Sequence, residues 1–234
     1  MVSQPIMIER IPAIVWGESS KKAYIYVHGK KSRKEEAQGF ALRAAQRGFQ
    51  TLSFDLPEHG SRQNDPRPCD VWNGVGELGV IGGYAAQRWR GVSLFAVSLG
   101  AYFSLLAYRD YPLQSCLFLS PILNMERLIR NMMQWFGVGE KALMEKRTIS
   151  TPIGETLGWD YYQYVKAHPI DRWNAPTAIL YGSEDNLTER EVAEQFAARF
   201  HADLTVLEGG EHYFHTEEQL AFLNEWLSRE IPRQ

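Results

Sequence analysis

The chain has 234 residues, 44% of them hydrophobic, and a formal net charge of -3. That length accommodates one domain with a substantial buried core, and charges of both signs spread along it exclude a disordered or fibrous protein. The near-neutral balance gives no electrostatic reason to expect nucleic acid as a partner.

Residues 1–14 carry Glu9 and Arg10 inside their apolar stretch and lack the basic-then-apolar order of a signal peptide. Residues 6–11 and 13–16 read as an antiparallel edge pair. An apolar strand at 23–27 then ends at His28-Gly29, and a helix from about 35 to 47 is stopped by Gly48. Residues 49–55 return as a strand. After a polar loop through Pro57, Gly60, Pro66 and Pro68, residues 70–89 fill the place of a crossover helix. Glycines at 74, 76, 79, 82 and 83 weaken that helix by up to about 1 kcal/mol each relative to alanine.

The next strands are expected at 92–97 and 115–119, separated by a helix at 99–111 that ends before Pro112. The uncharged run 91–108 matches a membrane span in length, but Gly91, Ser93, Ser98, Gly100 and Ser104 divide it into strand, tight turn and helix. No membrane association is expected. From 124 to 168 the alternation breaks, and Leu128, Met132, Met133, Trp135 and Phe136 follow helical spacing, which predicts a helical cap inserted over the sheet. Strands resume at 177–181 and 203–207, with helices at 188–200 and 216–230. Strands joined by helical crossovers predict an α/β architecture with a mostly parallel sheet, one domain over 1–234 with the cap inserted at 124–168.

The sharpest motif is Phe95-Ala96-Val97-Ser98-Leu99-Gly100-Ala101, a strand running into a serine and out into a helix, with small residues two places to either side of it. Such a turn strains the serine and lifts its hydroxyl clear of the sheet, and strand and helix approach closely only past small neighbours. The segment resembles the G-x-S-x-G nucleophile elbow of the α/β-hydrolase family, with Ala96 in place of the first glycine. That resemblance implies a mostly parallel sheet of roughly eight strands flanked by helices, and triad partners in the order serine, acid, histidine.

A serine hydroxyl is a poor nucleophile at neutral pH and needs a base, held in the correct tautomer by a third group. Residues 178–185, Ala-Ile-Leu-Tyr-Gly-Ser-Glu-Asp, resemble the family's strand-G-x-x-D segment and make Asp185 the expected acid, with Glu184 the lesser choice. An isolated aspartate after glycine is more often a turn or cap residue. His212, in the glycine-rich stretch Glu208-Gly209-Gly210-Glu211-His212, resembles the family's catalytic histidine and is favoured over His215, which lies against the following helix. Tyr26-Val27-His28-Gly29-Lys30 resembles the H-G oxyanion loop, so the backbone N–H groups of Lys30 and Leu99 are the expected oxyanion donors. Asp55-Leu56-Pro57-Glu58-His59-Gly60-Ser61 resembles the family's D-x-P-G-H-G-x-S loop, with Glu58 where glycine is usual, and reads as mainly structural.

Other features admit plainer readings. The basic run Lys30, Lys31, Arg33 and Lys34 is in most proteins a solvated face, the functional alternative being attraction of an anionic substrate. Trp135, Phe136, Trp159, Tyr161, Tyr162 and Tyr164 suit the packing of a lid more often than an acyl pocket. His212 and His215 stand three apart but in a glycine loop, without a zinc motif, so no metal is expected, and no cofactor either. The two cysteines, Cys69 and Cys116, fit no disulfide or metal pattern, which points to a reducing, cytoplasmic setting. The expected partner is a small acyl substrate, and the expected reaction is ester hydrolysis through an acyl-enzyme. Amide or thioester cleavage, acyl transfer, and a non-catalytic binding protein are the alternatives.

Overall fold

The structure is a computed structural model that describes residues 1–232, so the last two positions of the expected 1–234 domain lie outside it. β1 (Ser3–Ile8) and β2 (Ile11–Trp16) form the expected antiparallel edge pair, with Ser3 opposite Trp16 and Ile8 opposite Ile11. β3 (Lys22–Val27) leads through a 3-10 turn at Lys34–Ala37 into α1 (Gln38–Gln46), and β4 (Gln50–Phe54) follows. Next come α2 (Val71–Arg88), β5 (Gly91–Val97), α3 (Leu99–Ala107) and β6 (Cys116–Leu119). After the insertion the chain completes β9 (Thr177–Glu184), α7 (Arg190–Phe200), β10 (Asp203–Glu211) and α8 (Glu217–Glu230).

One eight-stranded sheet results, in the order β1-β2-β4-β3-β5-β6-β9-β10. Only the pairings of β2 with β1 and β4 are antiparallel; the other five are parallel, as helical crossovers require. Strand alternation sorts the core into two layers. Tyr24, Tyr26, Phe95 and Leu117 meet Phe40 of α1 and Trp226 of α8 on one face. Ala23, Ile25, Leu94 and Phe118 meet α2, α3 and α7 on the other. The uncharged run 91–108 is thus a buried strand, a turn and a helix, and no helix among the described residues is long and apolar enough to cross a membrane.

α2 runs unbroken through its five glycines, started by Asp70, whose side chain accepts the Asn73 N–H. Two of those glycines are explained by α3. A Cβ on Gly74 would lie 2.5 Å from the Phe103 ring, and one on Gly82 would lie 2.9 Å from the Tyr108 ring. The propensity lost is therefore exchanged for close helix packing. α3 stops at Ala107, short of the expected 111, because Tyr108 and Tyr111 leave the helix to donate their hydroxyls to the Leu78 and Gly82 carbonyls of α2.

The insertion holds α4 (Met125–Trp135), α5 (Glu140–Lys146) and α6 (Trp159–Ala167), as its helical spacing predicts. It also holds a small antiparallel ribbon that the spacing does not announce, β7 (Thr148–Ser150) paired with β8 (Thr156–Gly158). Leu128, Ile129, Met133, Leu143, Leu157 and Tyr162 are buried in the same core layer as α2 and α3, so the insertion packs on the body of the protein.

Candidate active site

Ser98 sits between β5 and α3 with φ 49° and ψ -116°, a conformation that costs a non-glycine residue about 1–3 kcal/mol. The surroundings hold it there. Its N–H donates to Leu119 O at 3.1 Å, and its carbonyl accepts from the N–H groups of Ala101, Tyr102 and Ile122. Gly100 is obligatory, because a Cβ there would lie 2.4 Å from the His28 carbonyl oxygen. Ala96, which stands where the family's first glycine is usual, is fully buried and pairs with Val27 on one neighbouring strand and Phe118 on the other.

β9 and β10 bring the other two residues. Leu207 pairs with Gly182 and Glu211 with Glu184, so β10 carries two more residues than β9 over that interval and bulges outward. Gly209, at φ 74°, turns the bulge, and its N–H donates to Ser183 Oγ. The bulge lies hard against β9, since a Cβ on Gly182 would be 2.3 Å from Gly210 O. This extra length delivers His212 to Ser98. His212 Nε2 is 2.9 Å from Ser98 Oγ, and His212 Nδ1 is 2.7 Å from Asp185 Oδ2.

The Asp185 carboxylate serves two partners at once. Oδ1 accepts the N–H groups of Leu187 and Thr188, closing the turn after β9, while Oδ2 faces the imidazole. Its side chain is fully buried and that of His212 is 16% exposed. An ionised carboxylate only accepts, so Nδ1 carries the proton and Nε2 presents its lone pair to the serine hydroxyl. The lesser candidates point elsewhere. Glu184 is exposed, and His215 Nδ1 lies against Tyr213 O and the Glu211 carboxylate.

The loop after β3 runs beside the elbow, and a Cβ on Gly29 would lie 3.3 Å from Ser98 Cβ. His28, fully buried, donates from Nδ1 to Gly29 O and accepts the Leu56 N–H at Nε2, which pins this loop to the one after β4. Burial lowers its pKa to about 4, against a smaller opposing effect of the Gly29 hydrogen bond, so the ring is neutral. The N–H groups of Lys30 and Leu99 make no hydrogen bond to protein among the described residues.

The basic run divides. Lys30 Nζ pairs with Glu155 of the β7–β8 turn, and Lys34 Nζ pairs with buried Asp55 at 2.7 Å; Lys31 and Arg33 are exposed. Burial raises the Asp55 pKa, but hydrogen bonds from Lys34 and Ser61 outweigh it and hold the carboxyl below its ordinary value. Gly60, at φ 54°, is the position that leaves room for Asp55. Glu58 also takes a left-handed φ of 61°, the conformation that makes glycine usual there, and its carboxylate accepts the Cys69 N–H. Deeper, buried Arg62 joins Glu77 of α2 and Asp65, tying the loop to the helix.

The aromatic residues of the insertion scatter. Trp135 is half exposed, Tyr162 is buried, and Tyr161 and Tyr164 pack against Trp72 at the start of α2. Sequence reasoning missed Glu155, which reaches Lys30 across 125 positions, and the steric demand at Gly182. A glycine at the end of an otherwise apolar strand was the one available signal for the latter.

No curated protein matches the sequence. Among solved structures, Est1E from Butyrivibrio proteoclasticus with ferulic acid bound is 16% identical, with 97% of this chain and 96% of that one covered at a TM-score of 0.78. Alpha/beta hydrolase domain-containing protein 10 from mouse is 16% identical, covering 99% and 98% at a TM-score of 0.76. A Paleococcus ferrophilus monoacylglycerol lipase is 18% identical, covering 94% and 98% at a TM-score of 0.67. Likeness at such low identity establishes a shared fold and nothing finer. The sequence profile described as Alpha/beta hydrolase family matches residues 25–226, from within β3 to within α8. With that profile spanning most of the sequence and the fold shared over nearly all of it, the chain belongs to the alpha/beta hydrolase family.

Proposed function

We propose that this protein is a serine hydrolase that cleaves a carboxylic ester of a small acyl substrate, with Ser98 as nucleophile, His212 as general base and Asp185 as the group that orients the base. The observation that carries the reading is the unbroken chain from Ser98 Oγ to His212 Nε2 and from His212 Nδ1 to Asp185 Oδ2. Esterases and a lipase among the structural neighbours favour an ester as the bond cleaved.

As Ser98 Oγ attacks the ester carbonyl, Nε2 of His212 takes its proton, and Asp185 stabilises the imidazolium. The carbonyl oxygen becomes an oxyanion that accepts from the N–H groups of Lys30 and Leu99, each such donor contributing about 2.7 to 4 kcal/mol in the transition state. The imidazolium then protonates the departing alkoxide, leaving an ester of the acyl group with Ser98. Water repeats the cycle. It gives its proton to His212 and attacks the acyl carbon, and Ser98 recovers its proton as the carboxylic acid departs. No step calls for a cofactor. Residues 124–168 act as a cap on one hydrolase domain, and the two unpaired cysteines suit a cytoplasmic setting.

Replacing Ser98 by Ala abolishes both ester turnover and labelling by a serine-directed phosphonate. Unchanged labelling in that variant refutes the assignment, and a parent protein that cleaves thioesters or amides but no ester refutes the choice of bond.

A further inference from the structure

Backbone donors stabilise a developing charge only when they are fixed in place, and the loop after β3 has few ties with which to fix itself. It is held at each end: His28 Nε2 accepts the Leu56 N–H, and Lys34 gives both its N–H and its ammonium to the Asp55 carboxylate. Between those ends, residues 29–33 make one hydrogen bond or ion pair that reaches beyond residues 28–36 among the described residues. It joins Lys30 Nζ to the Glu155 carboxylate. Ser32 bonds only to nearby Glu36, and the exposed side chains of Lys31 and Arg33 make no such contact among the described residues. Drift of this segment would be felt at the elbow, because Gly29 lies against Ser98.

Glu155 offers a firm point of attachment. It stands in the turn of the β7–β8 ribbon, where the Thr151 N–H and hydroxyl donate to its carbonyl at 2.7 Å and 2.9 Å. The Glu155 N–H returns to Thr151 Oγ1 at 3.2 Å, and Gly154, at φ 82°, donates its N–H to the Thr151 carbonyl. The ribbon is itself fastened, with Leu157 of β8 and Leu143 of α5 buried in the core and the Trp159 N–H bonded to Arg147 O. With its backbone held and its side chain only 22% exposed, Glu155 has little freedom left to lose on meeting the lysine. A partly exposed ion pair adds little to stability. Position is a different quantity, since misplacing a reacting contact by about 1 Å can cost about 100-fold in rate.

We propose, on the reading of the Lys30 N–H as an oxyanion donor, that Glu155 is a positioning residue: through the Lys30 ammonium it fixes the middle of the loop, and that N–H with it, relative to Ser98. The insertion thereby supplies part of the framework of catalysis from 125 positions away in the sequence.

The test compares an aryl ester with its thiono analogue, in which C=S replaces C=O, in the parent, Glu155→Gln, Lys30→Met and the double variant. Phosphonate labelling counts the active sites in each. Sulfur is a weak hydrogen-bond acceptor, so the thiono ester draws little on the oxyanion donors and serves as an internal control. Glu155→Gln lowers kcat for the oxygen ester about tenfold and leaves KM within about twofold, while the thiono ester is slowed far less. Lys30→Met keeps the backbone amide and shows the same loss, and the double variant is no slower than either single one, as one coupled pair requires. Three results overturn the proposal: kcat in Glu155→Gln within about twofold of the parent, equal losses on both esters, or losses that multiply in the double variant. Ser98→Ala separates the two levels. Turnover that survives it overturns the nucleophile assignment and this role of Glu155 together, whereas an inactive Ser98→Ala beside a fully active Glu155→Gln overturns the role of Glu155 alone.

Discussion

Asp185→Asn separates two duties that one side chain performs. Oδ1 holds two backbone N–H groups in the turn, at 2.8 Å and 2.9 Å, while Oδ2 faces His212 Nδ1. An asparagine amide has one accepting oxygen, and the turn claims it. Presenting the nitrogen to the turn instead would leave two N–H groups facing a donor, at about 1–3 kcal/mol for each group left unpaired. The amide NH2 is therefore aimed at Nδ1, which must become an acceptor, and the imidazole proton moves to Nε2. In that tautomer the ring cannot take the Ser98 proton. A serine protease in which the triad aspartate became asparagine lost about 10^4-fold in kcat for this reason, and a loss of that size, about 5.5 kcal/mol, is expected here. Stability should change little, because the turn is kept. Initial rates with a p-nitrophenyl ester, paired with urea denaturation, provide the measurement. An asparagine variant within tenfold of the parent, equally stable, refutes the proposed role of the carboxylate.

Three further outcomes follow from the same geometry. Gly182→Ala forces a methyl within 2.3 Å of a backbone oxygen in the bulge, so urea denaturation should show a loss of about 1–3 kcal/mol or more, with ester turnover lost as the histidine loop shifts; unaltered stability contradicts the steric argument. Glu58→Gly relieves the left-handed backbone but gives up the bond to the Cys69 N–H, whereas Glu58→Ala gives up the bond and keeps the strain, so the alanine variant should be less stable than the glycine variant by about 1 kcal/mol. His28 has a folded pKa of about 4 against an ordinary 6.5, so the unfolded chain binds more protons between those values. Its contribution is complete above pH 6.5 and is lost as the pH falls towards 4, on the order of 3 kcal/mol, and a denaturation midpoint indifferent to pH across that window argues against a neutral buried ring.

The parts of the molecule legible in the sequence are those governed by neighbours along the chain. Strand-to-serine-to-helix at 95–101 is a local pattern, and the histidine and aspartate each follow a recognisable apolar strand. What was hidden depends on distant partners. Thr148–Ser150 and Thr156–Gly158 are too short for alternation to register, and they form a ribbon because they pair with each other. The helix-weakening glycines of α2 make sense only once Phe103 and Tyr108 are seen lying on them. The ion pairs of Arg62 with Glu77 span fifteen positions and two elements, and periodicity carries no trace of them.

Lys30 follows Gly29, which lies against the elbow, and its ammonium is tied to Glu155 in the turn of the ribbon. Exchanging the insertion for one from a relative is therefore not a modular operation. A graft that lacks an acidic side chain at that spot frees the long lysine arm, and the segment bearing the amide loses one of its anchors. Any exchange of residues 124–168 is best made with positions 30 and 155 chosen as a couple.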